Sequence, residues 1–208
     1  MSATHQVGSV PFDAAVAALR AGSVVGIPTD TVYGLAVDPT IPGAIDALFE
    51  LKARPRSLDL PVLVGSTQQA GELAGPSGLS KTARHLAEHF WPGALTIVVP
   101  RRHGLEWALG GNAQTIGLRH PDHSVARALC TEVGALATTS ANVHGEAPCT
   151  VAGAVVRAFG SRVVVVDGGR CDGAPSTVVS VLGGLPQCLR EGAVAWVDVL
   201  AALGGDAI

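Results

Sequence analysis

Hydroxyl side chains stand at the ends of one apolar run after another in this sequence. Thr29 and Thr31 follow the run Val24 to Ile27, Thr115 opens a run that Arg119 closes, and Thr138, Thr139 and Ser140 follow Leu136 and Ala137. Ser176 and Thr177 open the run to Val179, and Lys52, Arg54 and Arg190 add cations at other ends or loops. Val- and Ile-rich runs read as buried strands, and in α/β folds ligands are met where strands leave the core. Hydroxyl and guanidinium groups together suit phosphates and carboxylates, because the Arg fork holds two oxygens at once. A site of that kind positions anions and stabilises developing charge without a covalent nucleophile. Phosphoryl or nucleotidyl transfer is the reaction class it favours. Taken singly, each residue has a plainer account: Asp and Thr serve turns, and cations at a helix end complement its dipole. The repetition at successive strand ends raises the functional reading.

Other chemistries lack their signatures. There is no G-x-x-x-x-G-K-[ST], no G-x-G-x-x-G and no G-x-S-x-G. No motif ties a His or Asp to Ser140, so hydrogen bonding suits that serine better than nucleophilic attack. His85 and His89 are four apart, but no third ligand stands nearby, which favours a solvated helix face over a metal site. Cys130, Cys149, Cys171 and Cys188 form no C-x-x-C pair and read as reduced core thiols of a cytoplasmic protein.

The elements that must place these residues read as alternating strands and helices. Phe12, Val16 and Leu19 sit at helical spacing before Gly22. Thr40 is a candidate cap for a helix bearing Ile45, Leu48 and Phe49, which ends near Pro55. Val62 to Val64 is a strand. Ser80 caps a helix bearing Ala83, Leu86 and Phe90, and Trp91-Pro92-Gly93 breaks before the strand Leu95 to Val99. Pro100 to Asn112 reads as a loop with Arg101 and Arg102 in solvent. Thr115 to Arg119, a helix with Val125 and Leu129, and Leu136 to Thr139 follow. Thr150 is a candidate cap for a helix bearing Val155 and Phe159; Val163 to Val166, Ser176 to Val179 and Cys188 to Arg190 are the last strands, before a short helix from Val197 to Leu203. The expected fold is α/β, a twisted mixed parallel and antiparallel sheet with covering helices in one domain spanning residues 1–208.

The totals fit that fold. With 48% hydrophobic and 15% charged residues, 208 residues can bury a core without staples. A net charge of -3 argues against a general nucleic-acid coat. Met1 to Ser9 shows no signal-peptide pattern, and no run is long enough to cross a membrane.

Pro28-Thr29-Asp30-Thr31-Val32-Tyr33-Gly34-Leu35 resembles the signature of the YrdC-like family, the threonylcarbamoyl-AMP synthases of tRNA modification. Lys52-Ala53-Arg54-Pro55, Phe90-Trp91-Pro92-Gly93, Arg119 with Pro121, Ser140-Ala141-Asn142 with Gly145, Ser176-Thr177-Val178 and Leu189-Arg190-Glu191-Gly192 follow in the family's order, from about Val16 to about Ala193. The resemblance implies a sheet curled around a deep, positively charged hollow. It implies an enzyme that joins L-threonine, bicarbonate and ATP into threonylcarbamoyl-adenylate and releases pyrophosphate. A separate tRNA threonylcarbamoyl-transferase complex would then use the product. Thr31, Arg119, Thr138 and Ser176 would hold the threonine, with Arg119 gripping its carboxylate. Arg54, Thr115, Ser140 and Arg190 would hold the nucleotide. Lys52 and Arg54 would be catalytic, with Lys52 near the phosphates and Arg54, Lys52 and Arg190 offsetting charge as pyrophosphate leaves. Mg²⁺ would enter with ATP, keeping much of its water, with no protein-only metal site. Asp30 is an outer-sphere candidate.

Three departures stand out. Leu60 and Gly65 occupy places where relatives often carry Asn and His, and Pro148 stands where they often carry Ser. The resemblance gives Asn and Ser nucleotide contacts and His a threonine contact. Two other readings follow: a paralogue using another carbamoyl or acyl substrate, and a non-catalytic RNA-binding module. A weak RNA contact is the most that the charge and the 4% aromatic content support.

Overall fold

The computed structural model describes residues 9–143, 145–183 and 185–204. Met1 to Gly8, the bulk of the segment read for a leader, lie outside them. Among the described residues ten strands make one sheet: β1 (Ser9–Val10), β2 (Val25–Ile27), β3 (Gly34–Val37), β4 (Val62–Leu63), β5 (Leu95–Pro100), β6 (Thr115–Arg119), β7 (Leu136–Ser140), β8 (Val164–Val166), β9 (Thr177–Ser180) and β10 (Gln187–Arg190). Their order across the sheet is β1-β8-β2-β3-β7-β4-β6-β5-β9-β10. β8 pairs parallel with β1 and β2, β4 with β6, and β5 with β9; the remaining neighbours are antiparallel. The sheet is therefore mixed, as expected. Seven α-helices are described: α1 (Phe12–Arg20), α2 (Ala44–Lys52), α3 (Thr67–Leu73), α4 (Lys81–Phe90), α5 (Ser124–Glu132), α6 (Ala152–Phe159) and α7 (Trp196–Ala202).

Successive strand residues face opposite sides, so each strand feeds two cores. On one side Leu35, Val37, Val62, Leu95, Ile97, Ile116, Leu118 and Val179 join α2, α3, α4, α6 and α7 in the larger cluster. On the other side Val25, Ile27, Ala36, Leu63, Leu136 and Val166 join α1 and α5 in the smaller one. That second cluster contains no residue of β5, β6 or β9. There the alternate positions Thr96, Val98, Thr115, Gly117, Arg119 and Val178 line a cavity instead. Two helices cover half of that face; the uncovered half is the floor of a hollow.

Some local expectations are corrected. α2 begins at Ala44, with Gly43 at its N-cap in a left-handed conformation (φ 81°) that suits glycine. Thr40 does not cap it; its hydroxyl donates to Asp38 Oδ1 at 2.6 Å. α6 is preceded by Val151 and makes no side-chain cap, so Thr150 is not one either. Ser80 does cap α4, accepting from the Ala83 N–H at 3.2 Å. α3 and β3 are additional elements: α3 carries Gln68, Gln69 and Gly71 with little apolar period, and β3 is a short run behind a polar turn. Arg101 is buried rather than solvated, donating from Nη2 to the carbonyls of Leu105 and Trp107 and so tying down the 100–112 excursion. The rings of His85 and His89 lie 4.4 Å apart, tilted by 54°, and His85 Nε2 lies 2.6 Å from the Ala202 carbonyl of α7. All four cysteines are free.

Candidate active site

The segment Pro28 to Tyr33 is the turn of an antiparallel hairpin, β2 to β3. Thr29 Oγ1 donates to the Val32 carbonyl at 2.6 Å and accepts from the Thr31 N–H at 3.2 Å. A hydroxyl has one proton, so Thr31 supplies the proton in the 2.9 Å contact between Thr29 Oγ1 and Thr31 Oγ1. Thr31 Oγ1 also accepts from Arg119 Nη1 at 3.1 Å. It therefore shows the cavity a lone pair. The turn is anchored from behind. Tyr33 N–H donates to the Cys149 carbonyl at 3.0 Å, and Gly173 N–H to the Thr31 carbonyl at 2.7 Å. The Tyr33 hydroxyl donates to the Gly169 carbonyl at 2.8 Å and accepts from the Gly168 N–H at 3.1 Å. Burial pushes the Tyr33 phenol up to about 12.

Arg119 ends β6 almost fully buried. Its Nε donates to the Gly93 carbonyl at 3.0 Å, and its Nη2 forms a 2.6 Å ion pair with Asp30 Oδ1. Burial lowers the guanidinium pKa and Asp30 opposes that shift. Three of its five N–H groups are engaged, leaving one on each Nη for a ligand. Asp30 is thus the partner of Arg119, in a site where an unpaired charge would be costly.

The cavity has two lobes. The inner one, about 190 Å³, is lined by Thr29, Thr31, Arg119, Thr138, Ser140 and Ser176 among others. The outer one, about 150 Å³, carries more aliphatic side chains, with Leu60, Val98, Leu109, Ile116 and Val178 beside Thr115. Arg54, Pro61, Thr96 and Arg190 line both and mark the junction. Arg54 donates from Nε to the Leu58 carbonyl at 3.3 Å and from Nη2 to that of Asp59 at 2.8 Å. Arg190 donates from Nε and Nη2 to the Ser176 carbonyl at 3.2 and 2.7 Å, and from Nη2 to Ser176 Oγ at 3.1 Å. Neither Nη1 has a protein partner among the described residues. Burial lowers both guanidinium pKa values, and Arg119 adds to the effect on Arg190. Gly192 lets β10 come this close: a Cβ there would stand 2.1 Å from the Pro175 carbonyl oxygen.

Behind the inner lobe lies Lys52, 3% exposed. Its Nζ donates to the Ser140 carbonyl, to Ser140 Oγ at 3.1 Å and to Asn142 Oδ1 at 2.8 Å. Burial lowers it to about 8, with Arg54 adding to the effect. Among the described residues no three His, Cys, Asp or Glu side chains are grouped to hold a metal.

The Sua5/YciO/YrdC family model, described as "Telomere recombination", matches residues 17–192. The chain belongs to the Sua5/YciO/YrdC family. A relative from Mycobacterium tuberculosis is 41% identical over 197 residues, 93% of this chain and 89% of the relative. The threonylcarbamoyl-AMP synthase of Bacillus subtilis is 36% identical over 194 residues, 91% of this chain and 56% of that protein. The crystal structure of Pyrococcus abyssi Sua5 complexed with L-threonine superposes with a TM-score of 0.87 at 31% identity, covering 93% of this chain and 57% of that one. The chain thus spans about half the length of these last two family members.

Within this family fold, the residues expected to hold threonine, Thr31, Arg119, Thr138 and Ser176, all line the inner lobe. Of those expected to hold nucleotide, Thr115 lines the outer lobe, Ser140 the inner, and Arg54 and Arg190 both. Lys52 lines neither, and its three N–H groups meet Ser140 and Asn142. Leu60 and Pro148 line the outer and inner lobes. Gly65 lines neither; a Cβ there would meet Thr131 of α5 at 3.1 Å. Sequence reasoning passed over Thr96, which bridges to Ser176 Oγ at 3.0 Å, although a lone hydroxyl alternating with Leu95 and Ile97 was a readable signal.

Proposed function

We infer that this protein is a threonylcarbamoyl-AMP synthase. It would condense L-threonine and bicarbonate with ATP, release pyrophosphate, and feed a tRNA threonylcarbamoyl-transferase complex. The observation that carries this reading is the two-lobed cavity with arginines at its junction. The inner lobe suits a small zwitterion with a hydroxyl: Arg119 keeps two N–H groups for a carboxylate, and Thr31 keeps a lone pair for an ammonium or hydroxyl donor. Lined with hydroxyls, such a lobe rejects an analogue lacking the substrate hydroxyl. The outer lobe suits the apolar faces of a nucleoside. Arg54 and Arg190, between them, suit the phosphates, where charge develops as pyrophosphate leaves. Mg²⁺ would enter with ATP and offset the phosphate charge there. Synthase relatives named above support the same reading.

A second reading, a paralogue with another carbamoyl or acyl substrate, draws on Leu60 and Pro148, which line the lobes with apolar groups. Pyrophosphate release with each substrate omitted in turn decides between them. The synthase needs ATP, bicarbonate and L-threonine together and yields the adenylate by mass spectrometry. Release that ignores threonine, or that requires a different amino acid, contradicts it.

A further inference from the structure

Among the described residues, Lys52 reaches the cavity through Ser140. The Asn142 amide fixes the arrangement: its Nδ2 donates to the carbonyls of Val143 at 2.9 Å and Glu146 at 2.7 Å, so Oδ1 must face Lys52 and Ser140. With Lys52 charged, its three N–H groups go to the Ser140 carbonyl, Ser140 Oγ and Asn142 Oδ1. Ser140 gives its own proton to Asn142 Oδ1, 2.6 Å away. With Lys52 neutral, two N–H groups still hold the two oxygens, and its lone pair can accept the Ser140 proton across 3.1 Å. In both states Ser140, which lines the inner lobe, offers the cavity a lone pair.

The proposed reaction begins with an amino acid whose ammonium must lose a proton before its nitrogen can attack the bicarbonate carbon. Resting on that reading, we propose that Ser140 and Lys52 are the path by which that proton leaves the cavity. The substrate N–H bond breaks as Ser140 Oγ takes the proton, and the Ser140 O–H bond breaks as Lys52 Nζ takes the other. Ser140 is again a hydroxyl, Lys52 an ammonium, and the substrate nitrogen keeps its electron pair. The amine then bonds to the bicarbonate carbon, and a second amine proton leaves with the departing hydroxide as water. Lys52 returns its proton to solvent when the products leave.

The electrostatic surroundings agree. Burial and the nearby Arg54 lower the Lys52 pKa to about 8, Cys149 opposes them weakly, and Glu146 and Arg157 act on Cys149 with opposite signs. Ser140 and Asn142 are neutral. An amine with a pKa near the working pH can both take and release a proton.

Lys52→Arg separates proton acceptance from mere support, since arginine donates hydrogen bonds but stays charged. The expected result is a fall in kcat of about 100-fold or more, KM for threonine and ATP within about threefold, and loss of the limb near pH 8. Ser140→Ala should lower kcat similarly and serves if Lys52→Arg does not fold. The chain has two lysines, Lys52 and Lys81, so their ¹³Cε signals can be titrated separately. Lys52 should titrate near pH 8. A Lys52 that stays charged beyond about pH 10, the ordinary lysine range, overturns the path. So does full kcat in either variant, or an unchanged pH profile in Lys52→Arg. Wild-type protein that releases no pyrophosphate with threonine fails the functional reading; an active wild type with an equally active Lys52→Arg variant fails the path alone.

Discussion

Arg119 and Asp30 show how a single pair sets the character of the inner lobe. Truncating Arg119 to alanine would leave Asp30 buried and unpaired, so lost binding would be mixed with lost stability. Arg119→Lys is the sharper probe, because it keeps the charge and removes the fork. Its expected outcome is a threonine KM raised about 10- to 100-fold, one to two bidentate-strength hydrogen bonds, with ATP KM within about threefold. Arg54→Ala should show the reverse pattern; steady-state kinetics with each substrate varied checks both. Tyr33 permits another test, being the only tyrosine. Its raised pKa means the folded chain keeps a proton that the unfolded chain releases above pH 10. Stability is therefore full below pH 10 and falls as pH rises through the folded value of about 12. Phenolate absorbance should stay absent at pH 11 until the protein unfolds, and Tyr33→Phe should flatten the alkaline loss seen in denaturant titrations.

The elements hold these residues by contrast between the two faces of each strand. Thr115-Ile116-Gly117-Leu118-Arg119 alternates: Ile116 and Leu118 enter the larger core, Ile116 also reaching the outer lobe, while the other three line the cavity. That alternation was legible in the sequence, as were α1, α4 and α5. What the strand is paired with was not. Caps are local, so Ser80 could be read correctly; Thr40 was not a cap because α2 starts further on, behind Gly43 in its left-handed conformation. The close approach of β10 to the start of β9 leads to a prediction at this scale. Gly192→Ala would force the backbone off the Pro175 carbonyl, costing about 1–3 kcal/mol, and would move Arg190 away from Ser176. Thermal unfolding should report the first effect and a raised KM for ATP the second.

Across the whole molecule, function follows from a sheet half covered on one face. α1 and α5 close over β2, β3, β4, β7 and β8, leaving β5, β6 and β9, with Thr138 and Ser140 at the end of β7, to line the cavity. Three arginines, Arg54, Arg119 and Arg190, line that cavity, while the chain as a whole carries a net charge of -3. Association with tRNA should accordingly be weak and lost between about 50 and 200 mM salt, as judged by filter binding. A tight, salt-insensitive complex would favour the RNA-binding reading.

By itself the sequence determined the alternation of strands and helices, the mixed sheet, the hydroxyl-bearing strand ends and the family. Each of those depends on residue type, spacing or ordered motifs, all of which are local. The tertiary structure decided which charges meet. Asp30 and Arg119 are 89 positions apart, and Lys52 and Ser140 are 88 apart. No local pattern records such pairs, because they form only when strands from distant parts of the chain become neighbours in the sheet. Adjacent Arg101 and Arg102 look alike in sequence, yet one is buried among loop carbonyls and the other is exposed. The same distance effect sets Lys52 behind Ser140, where its three donors meet Ser140 and Asn142.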